Sequence, residues 1–264
     1  MHTPEPSGPD AEPSSLFGRH QFLIIRLFSL TGLLPVGGYL CLHLLTNATI
    51  LDSPQMFQEK VDQIHSLRSL LPVVEWVFIF LPILFHAGVG WLIVAGAVPN
   101  TNAYPYASNI RYTLQRGTGI VAFFFILLHL MHMHHYGSVF AWLGGGQFQP
   151  HEASSSAGQA IQAALLVQIV YAVGVVACVY HLANGIWTFG IRWGIWISPA
   201  AQRRASVACL GFGLLLGAAG LGSLVGMSRV DVDSAREFER RHHEAVKLLS
   251  GEELQQQSAA TAGQ

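Results

Sequence analysis

The sequence predicts an all-α integral membrane protein with five transmembrane helices, the first four forming an up-down bundle. Three observations carry this. Only 11% of the 264 residues are charged and 51% are hydrophobic, whereas a soluble domain carries about 25% charged residues. Five apolar segments, near 23–46, 73–98, 116–136, 163–190 and 205–228, reach the roughly 20 residues that a bilayer core requires. Each of the first four places a histidine well inside: His43, His86, His129 and His181.

Residues 1–20 open with MHTPEPSGPDAEPSSL. This stretch is rich in Pro, Ser and acidic residues, has no apolar run of the secretory type, and reads as a disordered tail. Residues 21–228 form the transmembrane domain. Pro35 and Pro82 fall inside the first and second segments. Neither splits its segment, because neighbouring helices can satisfy the carbonyls that a proline frees. The third segment ends in LLHLMHMHHYG, with His129, His132, His134 and His135. His129 is the deepest of these, His132 shares part of its face, and the last two mark the exit toward water. Residues 229–264 are a polar tail, partly helical. The stretch REFERRHHEAVKLL predicts a solvated amphipathic helix with His242 and His243 on its surface.

Lys and Arg in short loops orient the chain. Arg19 and Arg26 flank the first segment, Arg111 and Arg116 the second-to-third connection, and Arg192, Arg203 and Arg204 the fourth-to-fifth. The opposite short loops hold only Lys60 and Arg68 beside Asp52, Glu59 and Asp62. The N-terminus is therefore expected in the cytoplasm and the C-terminus outside. The net charge of −1 gives no basic surface for nucleic acid. Cys41, Cys178 and Cys209 fit no metal or redox spacing and read as small core residues.

Ionisable groups inside a bilayer are costly and usually functional, and neutral imidazole is a common metal ligand. Depth sorts the four histidines. At about 1.5 Å per residue, His181 lies roughly 16 Å, His86 18 Å, His129 20 Å and His43 25 Å from the inner ends of their helices. His86 pairs with His181 in the inner half, and His43 with His129 in the outer half. Helices one and three, like two and four, are diagonal in an up-down bundle. Two planar cofactors stacked along the bundle axis, each held by two imidazoles, need this arrangement. Bis-histidine haem is the natural candidate, since zinc would ask for about four ligands at one depth. Gly37, Gly38, Gly88, Gly90, Gly174 and Gly185 suit the approach of a flat ring, and equally suit tight helix packing.

The segments RLFSLTGLLPVGGYLCLHL, FLPILFHAGVGWLI, LQRGTGIVAFFFILLHL and VYHLANGIWTFGIRWGIWISPAAQR resemble the five-helix, two-haem cytochrome b subunit of succinate:menaquinone oxidoreductases and quinol:fumarate reductases. The likeness covers residues 22 to 226 and leaves both tails outside. It implies axial ligation of two haem b groups by His43 with His129 and by His86 with His181. It implies a bacterial cytoplasmic membrane location, with a flavoprotein and an iron–sulfur protein at the cytoplasmic face. FAD and the iron–sulfur clusters would lie on those partners, as would the succinate site. Electrons would pass from the inner haem to the outer haem and on to menaquinone. A higher oligomer of the complex is compatible with it.

Two further sets of residues follow. Arg192, Arg26, Ser29, Gln115 and Arg116, near the inner edge, are candidate donors to haem propionates, although charge flanking accounts for the arginines as well. Glu75, a carboxylate well inside a segment, lies eleven residues outward of His86 and is a candidate proton relay to quinone. The alternatives are a fumarate reductase subunit of the same kind, another di-haem quinone-reactive cytochrome such as a hydrogenase or formate dehydrogenase anchor, and a histidine-bearing metal or proton transporter. The last should show carboxylates at mid-membrane or inverted repeats, and neither is seen.

Overall fold

Backbone in a hydrocarbon layer must satisfy its own hydrogen bonds, so each apolar run becomes a helix. The computed structural model describes residues 16–96, 106–134 and 145–262. The five spans are His20–Leu51, Leu70–Ala95, Ala107–Met133, Leu165–Arg192 and Pro199–Ser228, and no strand occurs among the described residues. Residues 1–15 and His135 lie outside them. Helix already begins at Leu16, so the expected tail is shorter at its inner end.

Both prolines are absorbed without a break. The first span widens into a π-helical turn at Gly32–Gly37 around Pro35. The second does so at Trp76–Phe80, directly before the helical segment whose first turn holds Pro82. Proline lacks an N–H and its ring displaces the carbonyl one turn back; a wider turn relieves both.

Helix ends differ from the sequence reading. The third span starts at Ala107 rather than near 116. The fifth starts at Pro199 rather than 205, with Ser198 Oγ accepting from Ala201 N as its cap. Arg111, Arg116, Arg203 and Arg204 thus sit on helices, not in loops. Apolarity marks only the hydrocarbon stretch; arginine is a good helix former and its long stem reaches back to polar surroundings.

The first span packs against the second, fourth and fifth; the third packs against the fourth and, more lightly, the second; the fifth lies along the fourth. The first and third spans are therefore diagonal, as are the second and fourth. Leu42, Leu84, Leu128, Leu166 and Leu215 point outward, as a lipid-facing surface requires.

At the end opposite Arg26 and Arg192, three helices build a cap: Pro54–His65, Ala153–Gln162 and Val232–Ala262. Its apolar centre includes Phe57, Val61, Ile161, Met227 and Val230. Glu239, only 1% exposed, accepts from Ser154 N at 2.7 Å, Ser155 N at 3.1 Å and Ser155 Oγ at 2.5 Å. Those N–H groups open the Ala153–Gln162 helix, where they have no helical partner and the dipole favours an anion. Gln58 assists, its Oε1 accepting from Ala153 N at 2.7 Å and its Nε2 donating to Pro150 O at 2.9 Å.

The C-terminal helix, expected as a solvated amphipathic helix, is thus docked along one face. His242 Nε2 is 3.4 Å from Asp62 Oδ2, and the His243 ring lies 4.9 Å from that of His151, so neither is a plain surface residue. On the free face Arg240 and Arg241 hold the Glu237 carboxyl below the usual carboxylate range through side-chain hydrogen bonds. Glu239→Ala should cost about 2–4 kcal/mol by leaving buried N–H groups unpaired. The check is the melting temperature of the purified protein together with protease sensitivity of residues 232–262. No change in either would show that the cap does not depend on this carboxylate.

Candidate functional site

The second and fourth spans bring His86 and His181 together across the bundle, with ring centroids 6.2 Å apart and planes at 84°. Each Nδ1 is anchored to the backbone of an adjacent helix: His86 donates to Phe28 O at 2.9 Å and His181 to Gln115 O at 3.0 Å. A carbonyl only accepts, so the proton must sit on Nδ1 in both rings, which leaves the lone pair on Nε2. Backbone support of this kind orients metal-bound imidazoles generally. The Phe28 ring stacks on His86 at 4.3 Å and 5°. Gly32 and Gly119 make room for these imidazoles: a Cβ on Gly32 would run into the His86 ring, and one on Gly119 would stand 2.9 Å from His181 Cε1. Neither glycine was singled out from the sequence. Among those that were, Gly37 accommodates Leu182 and Gly174 accommodates Phe125, which is helix packing.

The first and third spans bring His43 and His129 to 5.7 Å between centroids, planes at 74°. Asn47 Nδ2 lies 3.2 Å from His43 Nε2. His129 Nδ1 is the one buried side-chain nitrogen or oxygen among the described residues with no hydrogen-bond partner. Such an orphan asks for an explanation, and a cofactor bound at this ring would supply one. His132, the competitor for that role, is engaged elsewhere: its Nδ1 is 2.7 Å from Tyr171 Oη on the fourth span.

Among the described residues no group of three or more His, Cys, Asp or Glu could hold a metal ion. Two separate imidazole pairs suit planar cofactors that each need two protein ligands, and not an ion that needs four.

The candidate propionate donors divide. The Arg26 guanidinium lies 4.5 Å over the Trp193 ring, and Ser29 Oγ accepts from Trp193 Nε1 at 3.1 Å. Arg192, on the last turn of the fourth span, directly precedes Trp193. These three gather at one edge of the bundle. Gln115 instead faces His181, its Nε2 donating to His181 O at 3.1 Å and its Oε1 accepting from Asn184 Nδ2 at 2.7 Å. Arg116 folds over Tyr112 on its own helix at 3.6 Å. Arg111, read from sequence only as a loop charge, is the guanidinium that reaches into the bundle.

Glu75 closes the helical segment Leu70–Glu75, just before the π-helical turn. Its Oε1 is 3.8 Å from His134 Nε2 at the end of the third span. The His134 ring packs edge-on against Phe80, and the Tyr39 ring packs 5.6 Å from His43. A carboxylate and an imidazole therefore face each other near the outer pair, at ion-pair and not hydrogen-bond distance. His134, expected only as a polar helix end, has a specific partner.

No family model matches the chain. It is 31% identical over 193 residues to the "Succinate dehydrogenase cytochrome b558 subunit" of Bacillus subtilis (strain 168), a match spanning 73% of this chain and 90% of that protein.

Proposed function

The chain belongs to the cytochrome b subunits of succinate dehydrogenase and is a multi-pass membrane protein; from that premise we propose that it is the di-haem anchor through which succinate oxidation reduces menaquinone. The diagonal imidazole pairs carry this reading, above all the inner pair with both Nδ1 atoms tied to carbonyls. His86 with His181 and His43 with His129 would hold the two haems, which when bound supply one-electron transfer across the bundle. Arg26 and Arg192 offer donors to propionates at the inner edge, and Ser29, whose hydroxyl donates to Arg26 O at 2.9 Å, would have to release that bond to join them.

The flavoprotein, with FAD and the succinate site, and the iron–sulfur protein would dock at the cytoplasmic face of a bacterial inner membrane. The asymmetry of Lys and Arg supports a cytoplasmic N-terminus, with the capped end outside. Reducing a quinone to the quinol takes two electrons and two protons. Glu75 Oε1 and His134 Nε2 would hold and deliver protons from the outer side.

Purification of the tagged chain from its native membrane tests this. A flavoprotein and an iron–sulfur protein should co-purify, and a redox titration should resolve two low-spin haem components, both reducible by succinate. A preparation with one component, or with none, overturns the di-haem reading.

A further inference from the structure

Beside the inner imidazole pair runs a line of polar side chains that the proposed electron path does not use. It starts at Arg111, near the beginning of the third span. Arg111 Nε donates to Asn184 Oδ1 at 2.9 Å, Nη1 donates to Ser206 Oγ at 3.0 Å, and the guanidinium carbon lies 3.8 Å over the Trp187 ring. Asn184, 4% exposed, passes the line on: its Nδ2 donates to Gln115 Oε1 at 2.7 Å. Gln115 Nε2 in turn donates to His181 O at 3.1 Å and stands 3.3 Å from His181 Nδ1. The line ends where His181 Nδ1 donates to Gln115 O.

The direction of every link is forced. A guanidinium only donates, so Asn184 must turn its oxygen toward Arg111 and its amide nitrogen toward Gln115. Gln115 must then offer its oxygen to Asn184 and its amide nitrogen to His181. Flipping either amide would set like groups against each other in a buried place, which is costly. An arginine serving only to anchor the helix would reach for headgroups, whereas this one turns inward to the fourth and fifth spans. Among the described residues no carboxylate forms an ion pair with Arg111.

We propose that Arg111, Asn184 and Gln115 are positioning residues for His181, and that the Arg111 charge, held in place by this relay, raises the reduction potential of the inner haem. The proposal rests on the reading of His181 as an axial ligand. A fixed positive charge favours the form of the iron centre that has gained an electron, and hydrogen bonding behind an axial imidazole tunes the same equilibrium.

Spectroelectrochemical titration of the intact complex in membranes tests it with three variants. Arg111→Gln removes the charge. Asn184→Asp keeps the size, neutralises Arg111 and cannot donate to Gln115 Oε1. Arg111→Lys keeps the charge. In Arg111→Gln and Asn184→Asp both haems should remain, and one of the two components should become harder to reduce by about tenfold, about 59 mV for one electron. The other component should stay in place, and Arg111→Lys should shift less than Arg111→Gln. Unmoved potentials in the first two variants overturn the proposal. So does an equal shift of both components, or a loss of haem without a shift, which would make the line a packing element. A wild-type complex lacking two components would instead sink the di-haem reading, a separate result.

Discussion

Changing His129 to Ala is expected to leave one haem component where the native complex has two, while His132→Ala keeps both. Sequence spacing alone leaves these two residues in competition, three positions apart on one helix. The structure separates them: His129 faces His43 across the bundle and has a buried nitrogen without a partner, whereas His132 is bonded to Tyr171 Oη. An iron deprived of one axial imidazole is no longer low-spin and is weakly held, so about half of the Soret absorbance should go. His43→Ala should deplete the same component as His129→Ala, and His86→Ala and His181→Ala the other. If His132→Ala loses a haem while His129→Ala retains both, the assignment on the third span is wrong. If His43→Ala and His86→Ala deplete one common component, the diagonal pairing fails.

Glu75→Gln should lower quinone reduction by about 100-fold or more, the usual scale for removing a proton-transfer group, without loss of either haem. Gln retains the shape and the capacity to accept a hydrogen bond, and gives up only the titrating proton. Electron delivery from succinate to an artificial acceptor at the iron–sulfur protein should be unchanged, which separates a quinone-site defect from faulty assembly. His134→Gln should cause a smaller fall in the same assay, since the imidazole stands behind the carboxylate, 3.8 Å from it. Full quinone turnover in Glu75→Gln with both haems present would rule out the relay and leave Glu75 as an interfacial residue.

The sequence by itself determined the solvent, the number of spans and the four deep histidines. A bilayer imposes a minimum length of apolar chain and penalises ionisable groups, so departures such as His43, His86, His129 and His181 stand out in one dimension. The regular rise of a helix then converts residue counts into depth, which is why the diagonal pairing was legible before any contact was known. Helix ends were not, because Arg111 and Arg203 continue helices that hydropathy had already closed. Neither was anything that depends on partners far apart in the chain. The Glu239 carboxylate caps a helix 84 and 85 residues earlier, and Arg111 finds Asn184 73 residues later; in sequence each is one more surface charge. Gly32 and Gly119 look like any other small residues until an imidazole from another span is set against them. A hydrogen bond or a close approach is a property of two positions at once, and only the tertiary packing decided which two.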